Sequence, residues 1–152
     1  MPATVVERSG EVAATPVEVW AVLGDFPAIS RWAPHVDYSC ALGATEVGPG
    51  AARRIQAGRS TLVERVLVWD PPTTLSYSVE GLPPIVRSAT NTWTVGAAPI
   101  GATVSLASRL EVGPRPPHRL AGRVVARLLA RTSERLLAAL AADLDTTRGA
   151  TA

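Results

Sequence analysis

The residues best suited to chemistry in this 152-residue chain are few, and every cation among them is Arg. The sequence contains no Lys, which excludes a Schiff-base lysine or a lysine general base. Glu64 stands out because it interrupts an alternating apolar set, Leu62, Val66 and Val68, within STLVERVLVW. On the apolar face of a strand a carboxylate is buried. It then becomes a neutral donor and general acid/base, or it is held by a nearby Arg. The opposite set, Val63, Arg65 and Leu67, is as regular, so alternation alone leaves open which face Glu64 takes. Arg53 and Arg54 are adjacent on one strand and must point to opposite faces. One of them is therefore expected inward, to pair with Glu64 or to grip a ligand carboxylate or carbonyl through its planar fork. Asn91 shares the parity of Trp93 and Val95 in SATNTWTV and is a further inward polar candidate.

Other chemistries lack their parts. Cys40 is the single cysteine, so no disulfide forms within the chain. With His35 and His118 the only histidines, a zinc site has too few ligands, and neither a metal nor a cofactor is expected. His35 follows Trp-Ala-Pro in a loop and His118 opens a helix, so neither activates a nucleophile and both read as surface residues.

The elements that must position these residues follow from changes of period. Residues 4–14 have strand-type content with imperfect alternation, as an edge or curved strand would. Thr15 is the expected N-cap of a short helix, with Pro16 at its first position and Glu18 in its first turn, ending near Gly24. Asp25 and Pro27 start a second short helix that stops at Pro34. Six strand-like pieces broken by Gly and Pro fill residues 36–112, consistent with an antiparallel meander. In the last of them Val104, Leu106, Leu110 and Val112 fall on one face, and in TTLSYSV the residues Leu75, Tyr77 and Val79 do the same. Residues 119–144 carry Leu120, Val124, Leu128, Leu136, Leu137, Leu140 and Leu144 at helical spacing, one helix about 39 Å long.

The fold class is therefore α+β, with a curved antiparallel sheet of about seven strands wrapped around a long C-terminal helix and two short helices after the first strand. Residues 1–146 form one expected domain and 147–152 a frayed tail. No secretory leader or apolar span is visible, so a cytoplasmic location is expected.

This order of elements resembles the START-like helix-grip superfamily, also called SRPBCC, and within it the bacterial polyketide cyclase/dehydrase-type subgroup. The likeness is carried by TPVEVWAVLGDFPAISRWAPHV, GAARRI, LVERVLVWDPP, SYSVEGLPP and AAPIGATVSL, and covers nearly the whole chain. It implies a deep apolar cavity between sheet and long helix, with Trp32, Tyr38, Glu64, Tyr77, Asn91 and Trp93 as the ligand-binding set. Trp20 is expected in the core between helix and sheet. Related plant hormone receptors place a ligand-facing acid at the position matching Glu64. Aromatase/cyclases of the superfamily polarise polyketide carbonyls with pocket Arg and Tyr. Here Val36 and Leu67 are apolar where such groups are sought, which lowers the enzyme reading.

Three functions compete. The first is binding, transport or sequestration of a hydrophobic small molecule such as a lipid, polyketide or isoprenoid. The second is a cyclase, aromatase or dehydratase with Glu64, Arg53 and Arg54 as catalytic candidates and no metal or covalent nucleophile. The third uses the C-terminal helix, whose Arg119, Arg123, Arg127, Arg131 and Arg135 recur every four residues, to meet an anionic membrane or RNA. No sequence-specific nucleic acid is expected. Charge is segregated accordingly, with seven Arg against three acids in residues 113–148 and eight against ten in residues 1–112.

Overall fold

The computed structural model of the chain describes the backbone of residues 3–113 and 116–151 and the side chains of residues 3–113 and 123–146. Strand β1 (Thr4–Val12) leads into helix α1 (Pro16–Leu23) and a 3-10 helix (Phe26–Arg31). Six strands follow: β2 (Tyr38–Leu42), β3 (Ala52–Ala57), β4 (Ser60–Asp70), β5 (Thr74–Glu80), β6 (Val86–Ala97) and β7 (Ala102–Val112). Helix α2 (Pro116–Thr151) closes the chain.

Local signals set the helix starts. Thr15 accepts from the Glu18 amide while the Glu18 carboxylate accepts from the Thr15 amide, a reciprocal capping box that satisfies two donors at the start of α1. Pro27 in the first turn after Asp25 starts the 3-10 helix, which kinks at Ala28.

The seven strands form one antiparallel sheet in the order β1-β7-β6-β5-β4-β3-β2. Each strand pairs with its sequence neighbour except β1, which joins β7. On the inward face Val104, Leu106, Ser108 and Leu110 of β7 are buried, as are Leu75 and Tyr77 of β5 and Trp93 and Val95 of β6. The expected alternation holds along β7, but in β5 Ser76, on the face expected to be wet, is buried too and shares a hydrogen bond with Thr92 at 3.0 Å.

Strand β4 departs from its expected pattern. Its register against β5 shifts between Val66 and Val68, a bulge that lets Leu67 and Val68 both face outward, 59% and 45% exposed. The inward set is Leu62, Glu64 and Val66, and beyond the bulge Trp69, whose ring meets Trp20 edge-to-face at 5.1 Å. Val68 therefore does not share the inward face assigned to it by simple alternation.

The apolar stripe of the long helix also differs from expectation, and α2 runs past the expected end at Leu144. Leu136, Leu140 and Leu144 are buried against the sheet, whereas Val124 and Leu128 are 53% and 55% exposed. A strict four-residue spacing gains about 40° per step on a helix of 3.6 residues per turn. Leu128 thus lies about 120°, and Val124 about 160°, around the axis from Leu140. An ion pair from Arg8 of β1 to Glu134 at 3.0 Å ties the helix to the sheet edge. The side chains of His118, Arg119 and Leu120 fall outside the described residues.

Candidate functional site

The concave face of the sheet holds a buried polar cluster. Arg53 lies opposite Glu64 in the β3–β4 register, and both side chains are within the core, 3% and 6% exposed. Of the adjacent arginines it is Arg53 that turns inward; Arg54 is exposed on the outer face. The Arg53 Nε donates to Glu64 Oε1 at 2.8 Å, and Nη2 makes an ion-pair contact with the same oxygen at 2.7 Å. Its Nη1 donates to the Phe26 carbonyl at 2.8 Å, so the guanidinium bridges the sheet and the 3-10 helix. Two rings flank the cation, Phe26 at 3.9 Å and Tyr77 at 4.8 Å. Those rings meet each other edge-to-face at 5.5 Å.

Tyr77 passes the network on to β6. Its hydroxyl accepts from Trp93 Nε1 at 3.2 Å, and Asn91 lies directly opposite Tyr77 in the β5–β6 register. Burial raises the Tyr77 phenol above its usual value and the Glu64 carboxylate adds to the rise, so the group stays a neutral hydrogen-bonding phenol. Asn91 Oδ1 accepts from Ser108 at 2.6 Å.

The cluster sits where the core gives way to a more open end. Trp93 is fully buried, but Trp32, edge-to-face with it at 6.1 Å, is only half-buried. Leu62, Val79 and Asn91 on the same concave face are also half-buried. Three residues beyond Trp32, His35 is half-buried and its Nδ1 is enclosed without a hydrogen-bond partner among the described residues. Burial lowers its affinity for a proton, and Arg135 and Arg53 lower it further. His35 is thus not the surface residue its loop setting implies.

The cluster brings together five of the expected site residues, Arg53, Glu64, Tyr77, Asn91 and Trp93, with Trp32 against its rim. Tyr38 does not join them. Ser39 faces inward, donating to Ser30 Oγ at 2.9 Å, so its neighbour Tyr38 must face out, where it is 75% exposed. There Tyr38, Cys40, Arg54 and Gln56 border a separate shallow hollow of about 370 Å³ on the outer side of the sheet edge. Sequence reasoning missed Phe26, Ser108 and His35. Ser108 carried a signal, since it interrupts an apolar set in β7 as Glu64 does in β4. Phe26 contributes a backbone carbonyl, which no side-chain pattern marks.

A family model described as polyketide cyclase / dehydrase and lipid transport matches residues 3–145. The fold is similar to that of the Zhui aromatase/cyclase from Streptomyces sp. R1128, with a TM-score of 0.80 and 19% identity over 95% of this chain and 94% of that one. A solution structure from Thermobifida fusca is 30% identical, with a TM-score of 0.77 over 92% of each chain. A START superfamily protein from Mycobacterium smegmatis has a TM-score of 0.76 at 17% identity, over 94% of this chain and 98% of that one. No curated protein sequence matches. No helix among the described residues is long and apolar enough to cross a membrane.

Proposed function

Since this chain belongs to the polyketide cyclase / dehydrase and lipid transport family, we propose that it binds and carries a hydrophobic small molecule, of lipid, polyketide or isoprenoid type, against the concave face beside Trp32. The observation that carries this reading is the half-buried Trp32 set edge-on to the buried Trp93. It offers an apolar ring surface next to the half-covered Leu62, Val79 and Asn91.

Carriage is favoured over catalysis by the way the polar groups are spent. Arg53 gives N–H groups to Glu64 and to the Phe26 carbonyl and is enclosed by two rings, and one Glu64 oxygen holds both the Nε hydrogen bond and the Nη2 ion-pair contact. Groups so committed brace the wall of a site; they are poorly placed to exchange protons with a substrate. The lone Cys40 suits a reducing, cytoplasmic compartment.

The test is mass spectrometry of what leaves the purified protein on denaturation, joined to Trp fluorescence titration with 1-naphthol, oleic acid and farnesol. A co-purified apolar compound or a saturable fluorescence change is expected. Trp32→Ala should weaken the binding about two- to tenfold, the size of one aromatic contact. No released compound and no response to any probe would remove the reading.

A second contact is supported by α2, where Arg123, Arg127, Arg131 and Arg135 are all exposed. Such a row suits an anionic surface.

A further inference from the structure

Building on the cationic contact proposed for α2, we infer that its anionic partner is a lipid bilayer, with the helix lying along the membrane and Val124 and Leu128 pressed between the Arg side chains into the headgroup layer. Measured around the axis from the buried Leu140, Arg131 lies about 180° away, Val124 about 160°, Arg127 and Arg135 about 140° on either side, and Leu128 about 120°. These five residues, spaced i, i+3, i+4, i+7 and i+11, form one continuous outward patch about 18 Å long. Val124 opens that patch and Leu128 lies along one side of it, each with about half its surface left to solvent.

The one acid beside the patch, Glu134, is engaged by Arg8. The sequence has no acid between Glu111 and Glu134, and among the described residues none of the four exposed Arg makes an ion pair. The side chains between the cations decide the type of partner. A single-stranded nucleic acid site needs aromatic platforms for its bases, and no aromatic residue follows Trp93 in the sequence. Branched aliphatic residues set among Arg instead match an interfacial helix, whose apolar groups sink below the headgroups while guanidiniums hold the phosphates. The helix needs no folding on contact, because Leu136, Leu140 and Leu144 already hold its following turns to the sheet. Arg135 lies within electrostatic reach of His35, so the patch adjoins the open end of the site beside Trp32. A membrane-docked helix would bring that end close to the acyl chains.

Flotation with vesicles tests this directly. The full chain should float with phosphatidylcholine vesicles containing 30 mol% phosphatidylglycerol, hardly at all with pure phosphatidylcholine, and less as salt is raised. Arg127→Glu with Arg131→Glu should weaken binding at least about tenfold, with circular dichroism and Tm unchanged. In a Cys40→Ser background, an NBD label on Leu128→Cys should brighten and shift to the blue on the anionic vesicles. Indifference to lipid charge, or a silent label, overturns the inference. Salt-sensitive retention on RNA or heparin with a silent label would leave the cationic contact standing and refute the bilayer, and failure to bind any polyanion would refute both. A dimer in sedimentation whose label is buried without vesicles would assign the face to a second copy and overturn it as well.

Discussion

Arg53 and Glu64 are joined across the β3–β4 register through a single oxygen, with Nε and Nη2 both on Oε1 and Nη1 spent on the Phe26 carbonyl. The pair therefore ties three elements together, and its charges are out of water. Removing one partner leaves the other buried and uncompensated, which costs far more than the pair contributes net.

Glu64→Gln should lower the free energy of unfolding by about 3–5 kcal/mol. The double replacement Arg53→Met with Glu64→Leu should recover much of that loss, because no buried charge remains. Urea denaturation of the three proteins measures both. A double variant less stable than the single one would show that the pair is a net stabiliser.

The pH dependence of stability has two limbs of known sign. Burial, then Arg135 and Arg53, depress the His35 pKa in the fold. Its contribution is present above the unfolded value, about 6.5, and is lost as pH falls below it. Burial, then Glu64, raise the Tyr77 pKa. That contribution is complete below about pH 10, the unfolded phenol value, and is lost as pH rises from there. Denaturation midpoints across the two ranges should show His35→Gln flattening the acid limb and Tyr77→Phe the alkaline one. A limb unchanged by its substitution would refute the assignment of that residue.

Leu128 and Leu140 are both on the four-residue repeat of α2, yet one is 55% exposed and the other fully buried. Leu140→Ala should cost about 2–5 kcal/mol, and Leu128→Ala within about 0.5 kcal/mol of nothing. Thermal unfolding distinguishes them. Equal losses would place Leu128 in the core.

Gly101, in the turn before β7, has φ +94°, and a Cβ there would collide with the Val12 carbonyl. Gly43 has a similar φ of +79° but open space around it. Gly101→Ala should cost about 3 kcal/mol or more, from strain and displaced backbone together. Gly43→Ala should cost only about 1–2 kcal/mol of left-handed strain. A difference of less than about 1 kcal/mol between them would refute the role given to the Val12 contact.

The succession of elements was legible in the sequence because its signals are local. Thr15, Pro16 and Glu18 place the start of α1 within four residues, and Gly and Pro mark the strand ends. Tyr77, Asn91 and Trp93 could be assigned one face because period-two alternation holds along β5 and β6. For Arg53, Arg54 and Glu64 the chemistry was legible but the direction was not, since both parities of β3 and β4 were acceptable. At Val68 and along α2, extrapolation of a regular period failed. A bulge at Leu67 reset the alternation, and the four-residue repeat outran the helix turn.

By its own composition the sequence determined that the site's cations are arginines and that its core must be closed by strands and one long helix. Only the tertiary structure decided that Arg53 takes Glu64 and Phe26 while Arg54 and Tyr38 face out, that the Nδ1 of the half-buried His35 is enclosed, and that Val124 and Leu128 remain uncovered. The physical reason is that propensity, capping and alternation act over a few neighbouring residues. Which face is buried, and which partner a polar group meets, depends instead on long-range strand register and on where the helix lies across the sheet.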